Sequence, residues 1–192
     1  MTLQFITKGS SCDIYLVNNV IHKVCKNHNK FKKELAFLQD IQEIPMVVRL
    51  IDFDKSQNTI KLEYLPFTLE DLIKKKTLTV QNKISILQQV SMFIIKSQDI
   101  GIVHNDLKAK NILVDYDMFS IKICDFDISK WGPDQSNDIK KFKFLIIQMI
   151  FDINYEESYK KYKFYSSKTR HNIFDIDNIY IIHDMIHELF YL

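Results

Sequence analysis

Short stretches of alternating apolar and polar residues fill the start of the chain, and later stretches repeat apolar residues every three or four positions. The first pattern predicts strands and the second amphipathic helices. Leu3 to Thr7, Ile14 to Val17 and Val20 to Val24 predict three strands, separated by Gly9-Ser10-Ser11 and by the turn signal Asn18-Asn19. From Asn29 to Ile41 the spacing becomes helical, with Phe31, Leu35, Leu38 and Ile41 on one stripe. Glu34 falls inside that stripe, and an acid on the core face of a helix needs a cation. Val47 to Phe53 and Thr59 to Tyr64 predict a hairpin around Lys55-Ser56-Gln57-Asn58. Val80, Ile84, Leu87, Val90 and Ile94 predict a long buried helix over 78–100, ended by Gly101. Further on, Ile139, Phe142, Leu145 and Met149 share one side of a helix that Ser136 or Asn137 is expected to cap. Ile179, Ile182, Ile186 and Leu189 predict a closing amphipathic helix.

Composition narrows what this pattern can be. With 192 residues, 46% apolar and 12% aromatic, the chain can bury a sizeable core in one domain or in two small lobes. A net charge of +2 gives no global electrostatic case for nucleic acid or a membrane surface. Three cysteines, Cys12, Cys25 and Cys124, show no C-x-x-C spacing, so neither a disulfide framework nor a structural zinc site is expected. Lys8 and Asp13 interrupt the apolar start as no signal peptide would, and runs such as Phe144 to Ile147 are too short to span a bilayer. The expectation is an intracellular, cytoplasmic protein with no membrane partner.

The chemistry concentrates between Ile102 and Asp127. His104, Asp106, Lys108 and Asn111 follow the order H-x-D-x-K-x-x-N, and Asp125-Phe126 comes fourteen positions later. Strand-like runs, Ile112 to Val114 and Ile121 to Cys124, flank the polar cluster and place it on the rim of a small hairpin. Asp106 is suited to take a proton from a hydroxyl, and Lys108 to neutralise charge on a transferring phosphoryl group. Asn111 and Asp125 offer hard oxygen ligands of the kind Mg²⁺ prefers. Four fixed residues at fixed spacing arise by chance in roughly one chain of this length in a thousand.

This stretch resembles the catalytic loop and metal-binding strand of eukaryotic-type protein kinases, H-R-D-L-x-x-x-N followed by D-F-G. The resemblance runs from about Leu3 to Phe151. It implies an α+β fold with two lobes: a small β-sheet N-lobe with one αC helix (1–62), a hinge (63–67), and a mainly α-helical, truncated C-lobe (68–192). ATP and Mg²⁺ are the implied cofactors, and a protein substrate the implied partner. Asp106, Lys108 and Asn111 become the catalytic residues, with Asn111 and Asp125 as metal ligands. T-K-G-S-S-C-D-I-Y overlays the glycine-rich loop; only Gly9 survives, with Thr7 and Cys12 at the other glycine positions. Lys23 in V-I-H-K takes the place of the V-A-I-K lysine and Ile21 that of its alanine, although alone Lys23 reads as an edge-strand lysine facing water. Lys26, the neighbouring alternative, points to the opposite face of its strand. Glu34 becomes the helix partner that orients Lys23 onto the phosphates. Leu62 would close the rear of the adenine pocket, the backbone of Glu63 and Leu65 would meet the adenine edge, and Ile14, Ile21 and Leu113 would sandwich the ring.

The chain also departs from a full kinase. D-F-G is D-F-D, so Asp127 replaces a flexible glycine. Between it and the next helix lie only I-S-K-W-G-P-D-Q-S-N, with no A-P-E, so a phosphorylated activation loop is not expected. Asp138 matches the aspartate that braces the catalytic loop backbone. Compact kinases of this kind include RIO-like families and several encoded by large DNA viruses, which would place the protein in host cytoplasm. The rival readings are a small-molecule phosphotransferase, an ATPase-like partner of a tRNA-modification complex, and a non-catalytic kinase mimic. Tyr159 to His171 is a basic, aromatic run that reads either as a patch for acidic substrates or single-stranded RNA, or as a solvated face with its aromatics tucked inward. His183 and His187 have zinc-ligand spacing with no third ligand near in sequence.

Overall fold

A computed structural model describes residues 3–115, 120–166, 176–186 and 188–190. The alternating N-terminal runs form an antiparallel sheet of β1 (Leu3–Lys8), β2 (Cys12–Val17), β3 (Val20–Cys25), β4 (Leu50–Asp54) and β5 (Thr59–Glu63), in the order β1-β2-β3-β5-β4. Asn18 and Asn19 both adopt positive φ, 48° and 64°, which gives the tight turn joining β2 to β3 the twist a two-residue hairpin needs. At the β4–β5 turn, Asp54 Oδ1 accepts the N–H groups of Ser56 (2.8 Å) and Gln57 (3.2 Å), and Asn58 takes φ 49°. Helix α1 (His28–Asp40) packs on β3 and β5 and buries Phe31, Glu34, Leu35, Phe37 and Leu38. Asn27 caps it by accepting from the N–H groups of Asn29 and Lys30.

The strand expected from Val47 begins instead at Leu50. Residues 46–48 pair elsewhere: Val48 N–H donates to Ile123 O (3.0 Å) and Ile123 N–H donates to Met46 O (2.6 Å). The hairpin with β5 is thus present from Leu50 onward, while the residues before it stitch the N-terminal sheet to the second half of the chain.

That second half is mainly helical. β6 (Phe67–Thr68), β8 (Ile112–Asp115) and β9 (Ser120–Ile123) form a small antiparallel sheet, and β7 (Ile102–Val103) pairs with β10 (Lys130–Trp131). Capping boxes start both α2 (Leu69–Lys75; Thr68 with Asp71) and α3 (Val80–Asp99; Thr79 with Asn82). Val80 does not join the core stripe as expected. It is the first helical residue, with half of its turn facing water, and is 44% exposed. Gly101 follows α3 with φ 71°, the left-handed geometry that glycine allows cheaply.

Helix α4 (Ser136–Phe151) buries residues on most of its circumference, including Ile139, Phe142, Leu145 and Met149. Neither Ser136 nor Asn137 is its N-cap. Gln135 holds that position without a side-chain cap bond, and Asp134 Oδ1 accepts Ser136 N–H at 3.0 Å. Gln135 is used elsewhere, its Nε2 donating to Ile102 O, while Asn137 donates to Asn105 O (3.0 Å). In α5 (Tyr155–Ser166) the rings of Tyr155, Tyr159 and Tyr162 meet Phe144 edge-on at 4.7–5.8 Å. Tyr155 and Tyr162 are half-buried, while Tyr159, Lys160 and Lys163 are exposed. The remainder of the basic run, 167–171, lies outside the described residues, as does His187. His183, in α6 (Ile179–Met185), has its Nδ1 2.6 Å from Ser91 Oγ on α3. Ile179, Ile182 and Ile186 are buried against the core, while Leu189 lies in a short 3₁₀ turn after α6 and is half-buried. Among the described residues, no helix is long and apolar enough to cross a membrane.

The molecule is thus α+β, with a small antiparallel sheet first and a helical body after it. Phe93 of α3 is fully buried beneath the second half's polar cluster, edge-on to His104 and Phe126 at 6.2 and 6.4 Å. Phe93→Ala is expected to lower the unfolding free energy by about 3–5 kcal/mol, since the ring leaves a void that surrounding helices fill poorly. Urea denaturation at neutral pH measures it.

Candidate active site

Lys23 sits mid-strand on β3 with its side chain turned under the sheet, 7% exposed. Its Nζ lies 2.7 Å from Glu34 Oε1 on α1 and 2.6 Å from Asp125 Oδ1, 102 residues away. Glu34 is 1% exposed, so both partners of the pair are out of water. Burial works against the ammonium, but Glu34 and Asp125 outweigh it and hold the Lys23 pKa above the ordinary lysine value. Asp125 shows the counterpart: burial disfavours its charge, and Lys23 more than compensates, keeping its pKa below the usual carboxylate range. Burial raises the Glu34 carboxyl against the pull of Lys23, and its Oε2 has no hydrogen-bond partner among the described residues. Lys26 is turned away, bonded to Gly9 O (2.6 Å) and paired with Asp13 (3.0 Å).

The turn between β1 and β2 is built around Gly9. Its N–H donates to Cys12 O at 2.9 Å, and a Cβ placed on it would stand 2.6 Å from that same carbonyl oxygen. Only glycine fits this turn without a shift of backbone.

Asp106, Lys108 and Asn111 form a second cluster on the loop between β7 and β8. Lys108 Nζ donates to Asp106 Oδ2, and Asn111 Nδ2 donates to Asp106 Oδ2 (3.0 Å) and to Asp106 O (2.9 Å). Asn111 O in turn accepts Cys124 N–H at 3.0 Å, so Asn111 and Asp125 stand at adjoining ends of the β8–β9 pair. Asp106 Oδ1, Asn111 Oδ1 and Asp125 Oδ2 take no hydrogen bond among the described residues. Two hard, uncommitted oxygens beside a carboxylate are a donor set that fits Mg²⁺.

The loop backbone is held from beneath. Asp138, at the start of α4, accepts His104 N–H (2.7 Å) and Asn105 N–H (2.9 Å). Ser129 Oγ donates to His104 O at 3.1 Å, and Asn105 Nδ2 donates to Ile128 O at 3.2 Å. The His104 ring is fully buried and 4.7 Å from the Phe126 ring. Its Nδ1 accepts Asp106 N–H (3.2 Å), so the ring proton belongs on Nε2, which donates to Cys124 O (3.1 Å).

Asp127, in place of the expected glycine, faces Lys30 of α1 at 3.8 Å, and Lys30 also donates to Ser11 Oγ at 2.6 Å. Asp127 stands out in the sequence and Lys30 does not, because nothing marks the lysine's helix position as adjacent to residue 127. Leu62 is buried, while Ile14, Ile21, Glu63, Leu65 and Leu113 are partly exposed. Glu63 N–H donates to Arg49 O at 3.1 Å. A cavity of about 350 Å³ lined by Gln98, Asp134, Gln135 and Tyr180 lies apart from these residues, by the starts of α4 and α6.

The structure therefore brings Lys23, Glu34 and Asp125 into direct contact and Asp106, Lys108 and Asn111 into another cluster beside them. A sequence profile described as the protein kinase domain matches residues 7–155. Residues along the chain are 32% identical over 113 positions to "U-box domain-containing protein 70" of Oryza sativa, covering 55% of this chain and 14% of that protein. "Cysteine-rich receptor-like protein kinase 6" of the same plant is 34% identical over 104 positions, 48% of this chain and 15% of the relative. "Carbon catabolite-derepressing protein kinase" of Candida glabrata is 25% identical over 127 positions, 65% and 20%. The chain thus spans only a minor part of the length of these relatives.

Burial lowers the His104 pKa and outweighs the opposing pull of Asp138. A histidine whose pKa falls on folding binds its proton only in the unfolded chain once pH drops below about 6.5, so stability is lost as pH falls. Unfolding free energy is expected to be flat above about pH 7 and to decline between about pH 6.5 and 5. His104→Phe should flatten that decline, as read from urea curves at pH 7, 6 and 5.

Proposed function

The chain belongs to the protein kinase domain family, and on that premise we propose that it transfers the γ-phosphoryl group of Mg-ATP to serine or threonine hydroxyls of a protein. The observation that carries this reading is the contact of Lys23 with both Glu34 and Asp125, which ties the phosphate-side lysine to the metal-side aspartate.

Each residue has a task that follows from its partners. Lys108 and Asn111 hold one oxygen of Asp106, so the other is free to accept the proton of an incoming hydroxyl and aim its oxygen. Lys108 then stands beside that acceptor with a charge able to offset negative charge on the phosphoryl oxygens. Asn111 and Asp125 would hold Mg²⁺ through their uncommitted oxygens, and the bound metal would supply charge neutralisation at the phosphates. Lys23, fixed by Glu34, positions the α- and β-phosphates. Gly9 lets the turn's backbone approach them. Leu62, Ile14, Ile21 and Leu113 supply apolar surface for adenine; Glu63 would meet its edge through the carbonyl, since its N–H is committed to Arg49, and Leu65 through its backbone. The sequence Asp106-Leu107-Lys108 is the form that resembles serine/threonine rather than tyrosine kinases. Residues 1–62 and 68–192 act as the two lobes around a hinge at 63–67.

Transfer of label from γ-labelled ATP to a casein-like protein, set beside transfer to aminoglycosides or sugars, tests the reading. Asp106→Ala is expected to lower the rate by about 10²–10⁴-fold with an unchanged melting temperature. Lys23→Met should abolish turnover and also lower stability, because Glu34 keeps its burial and loses its cation. Normal transfer by Asp106→Ala, or preferential transfer to the small acceptors, would overturn the assignment.

A further inference from the structure

Cys12 and Cys25 are thirteen positions apart in the chain and face each other across β2 and β3. Lys26 N–H donates to Ser11 O on the β2 side, whereas Cys25 N–H turns the other way, to Asn58 O. The cysteines therefore occupy a non-hydrogen-bonded pair, the register position where facing side chains come closest and Cα atoms stand about 4.5 Å apart. That separation lies within the range of about 4.4–6.8 Å that a disulfide spans. Their Sγ atoms are in hydrogen-bond contact at 2.8 Å, and each residue is only 4% exposed. Cys12 O is also the acceptor that closes the Gly9 turn, and Cys25 follows Lys23 by two positions on the same face of β3.

A metal would be an alternative use of this cluster, since a carboxylate oxygen of Glu34 lies within 4.8 Å of both sulfurs. The Lys23 ammonium, 2.7 Å from that carboxylate, opposes a cation there. So does the spacing of the sulfurs, which is closer than two thiolates on one zinc, each about 2.3 Å from it in tetrahedral geometry, would stand.

We propose that Cys12 and Cys25 form a reversible intramolecular disulfide that pins the Gly9 turn to β3 and so slows nucleotide entry and exit. The effect on nucleotide rests on the function proposed above; the disulfide itself does not. Contact with Cys25 lowers the Cys12 pKa against the effect of burial, with Lys23 assisting, while the same contact and burial raise Cys25. Cys12 is accordingly the attacking thiolate. With a peroxide as oxidant, the Cys12 sulfur attacks one peroxide oxygen, the O–O bond breaks, and a sulfenic acid and one water result. The Cys25 sulfur then attacks the Cys12 sulfur, forming the S–S bond as the S–O bond breaks, and the thiol proton passes to the departing hydroxide, by way of the Glu34 carboxylate within 4.8 Å, to give a second water. Two thiols and one peroxide become one disulfide and two waters. Two thiols of an external reductant reverse the change, themselves becoming a disulfide. Burial makes the first step wait on opening of the turn. Cys124 takes neither role, its Sγ donating instead to Asn111 O at 3.5 Å.

The purified full chain, reduced and then treated with hydrogen peroxide, should lose about 2 Da and recover it with dithiothreitol. Cys12→Ser and Cys25→Ser should each abolish that loss, and Cys124→Ser should retain it. Closing so short a loop should raise the melting temperature by about 5–10 °C. Association and dissociation rates of a fluorescent ATP analogue should both fall by about threefold or more in the oxidised form. Sulfinic acid at Cys12, a bond to Cys124, or zinc retained on the reduced protein would overturn the disulfide. Identical nucleotide rates in the two forms would overturn the pinning. Should neither form bind the analogue, the nucleotide reading fails and the pinning with it, while mass and melting temperature still decide the disulfide.

Discussion

A lysine ammonium shared by two carboxylates holds this molecule's halves in register. Lys23 comes from the N-terminal sheet, Glu34 from the helix packed on it, and Asp125 from the far side of the chain. Removing such a charge from water is costly, and a buried ion pair is poor support for stability as such. Its persistence in an apolar setting therefore has to be explained by what it positions. Two acids on one ammonium give that answer: neither α1 nor the β9 end can move away without leaving a buried charge unmatched. The pairing of residues 46–48 with Ile123 repeats the tie in backbone form, a few residues from Asp125.

Much of this was legible in the sequence because it depends on local pattern. Alternation gave β2, β3 and β5, and the stripe Phe31, Leu35, Leu38 gave α1 with Glu34 on its buried face. A buried acid requires a cation, and Lys23 is its expected partner. The failures share a cause as well. Val47 and Val48 have strand-like side chains, but nothing local says which strand they pair with, and the partner lies some 75 residues on. Ser136 looked like a cap because serine is a good one; Gln135 was drawn away to Ile102 and Asp134 took over the local N–H. The Cys12–Cys25 contact escaped for a third reason, since spacing rules look for close repeats and only strand register brings these thiols together.

The truncated stretch after Asp127 changes how the site can be held. In place of a long segment, β10 pairs directly with β7, and Trp131 stacks on Phe37 of α1 with ring centroids 5.4 Å apart. Lys30 joins Asp127 to Ser11, so α1, the Gly9 turn and the D-F-D stretch are linked through one side chain. Being half in water at 3.8 Å, the Lys30–Asp127 pair contributes little energy on its own. Its value lies in geometry. An aspartate at 127 removes glycine's conformational freedom, while Phe126 is locked between His104 and Phe93.

Backbone strain points to the same residues. Asn105 and Asp125 both take left-handed φ, 68° and 71°, which costs a non-glycine residue about 1–2 kcal/mol. Asparagine and aspartate tolerate that region better than other side chains, because they can bond locally. Here each is also held from outside: Asn105 by Asp138, Asn137 and Ile128 O, and Asp125 by Lys23. Other positive-φ residues, such as Asn18, Asn19 and Asn58, sit in hairpin turns where strand connection alone accounts for them. Asn105 and Asp125 connect no hairpin. Each strained residue adjoins or carries a charged side chain that is held by a cation: Asp106, next to Asn105, by Lys108, and Asp125 itself by Lys23.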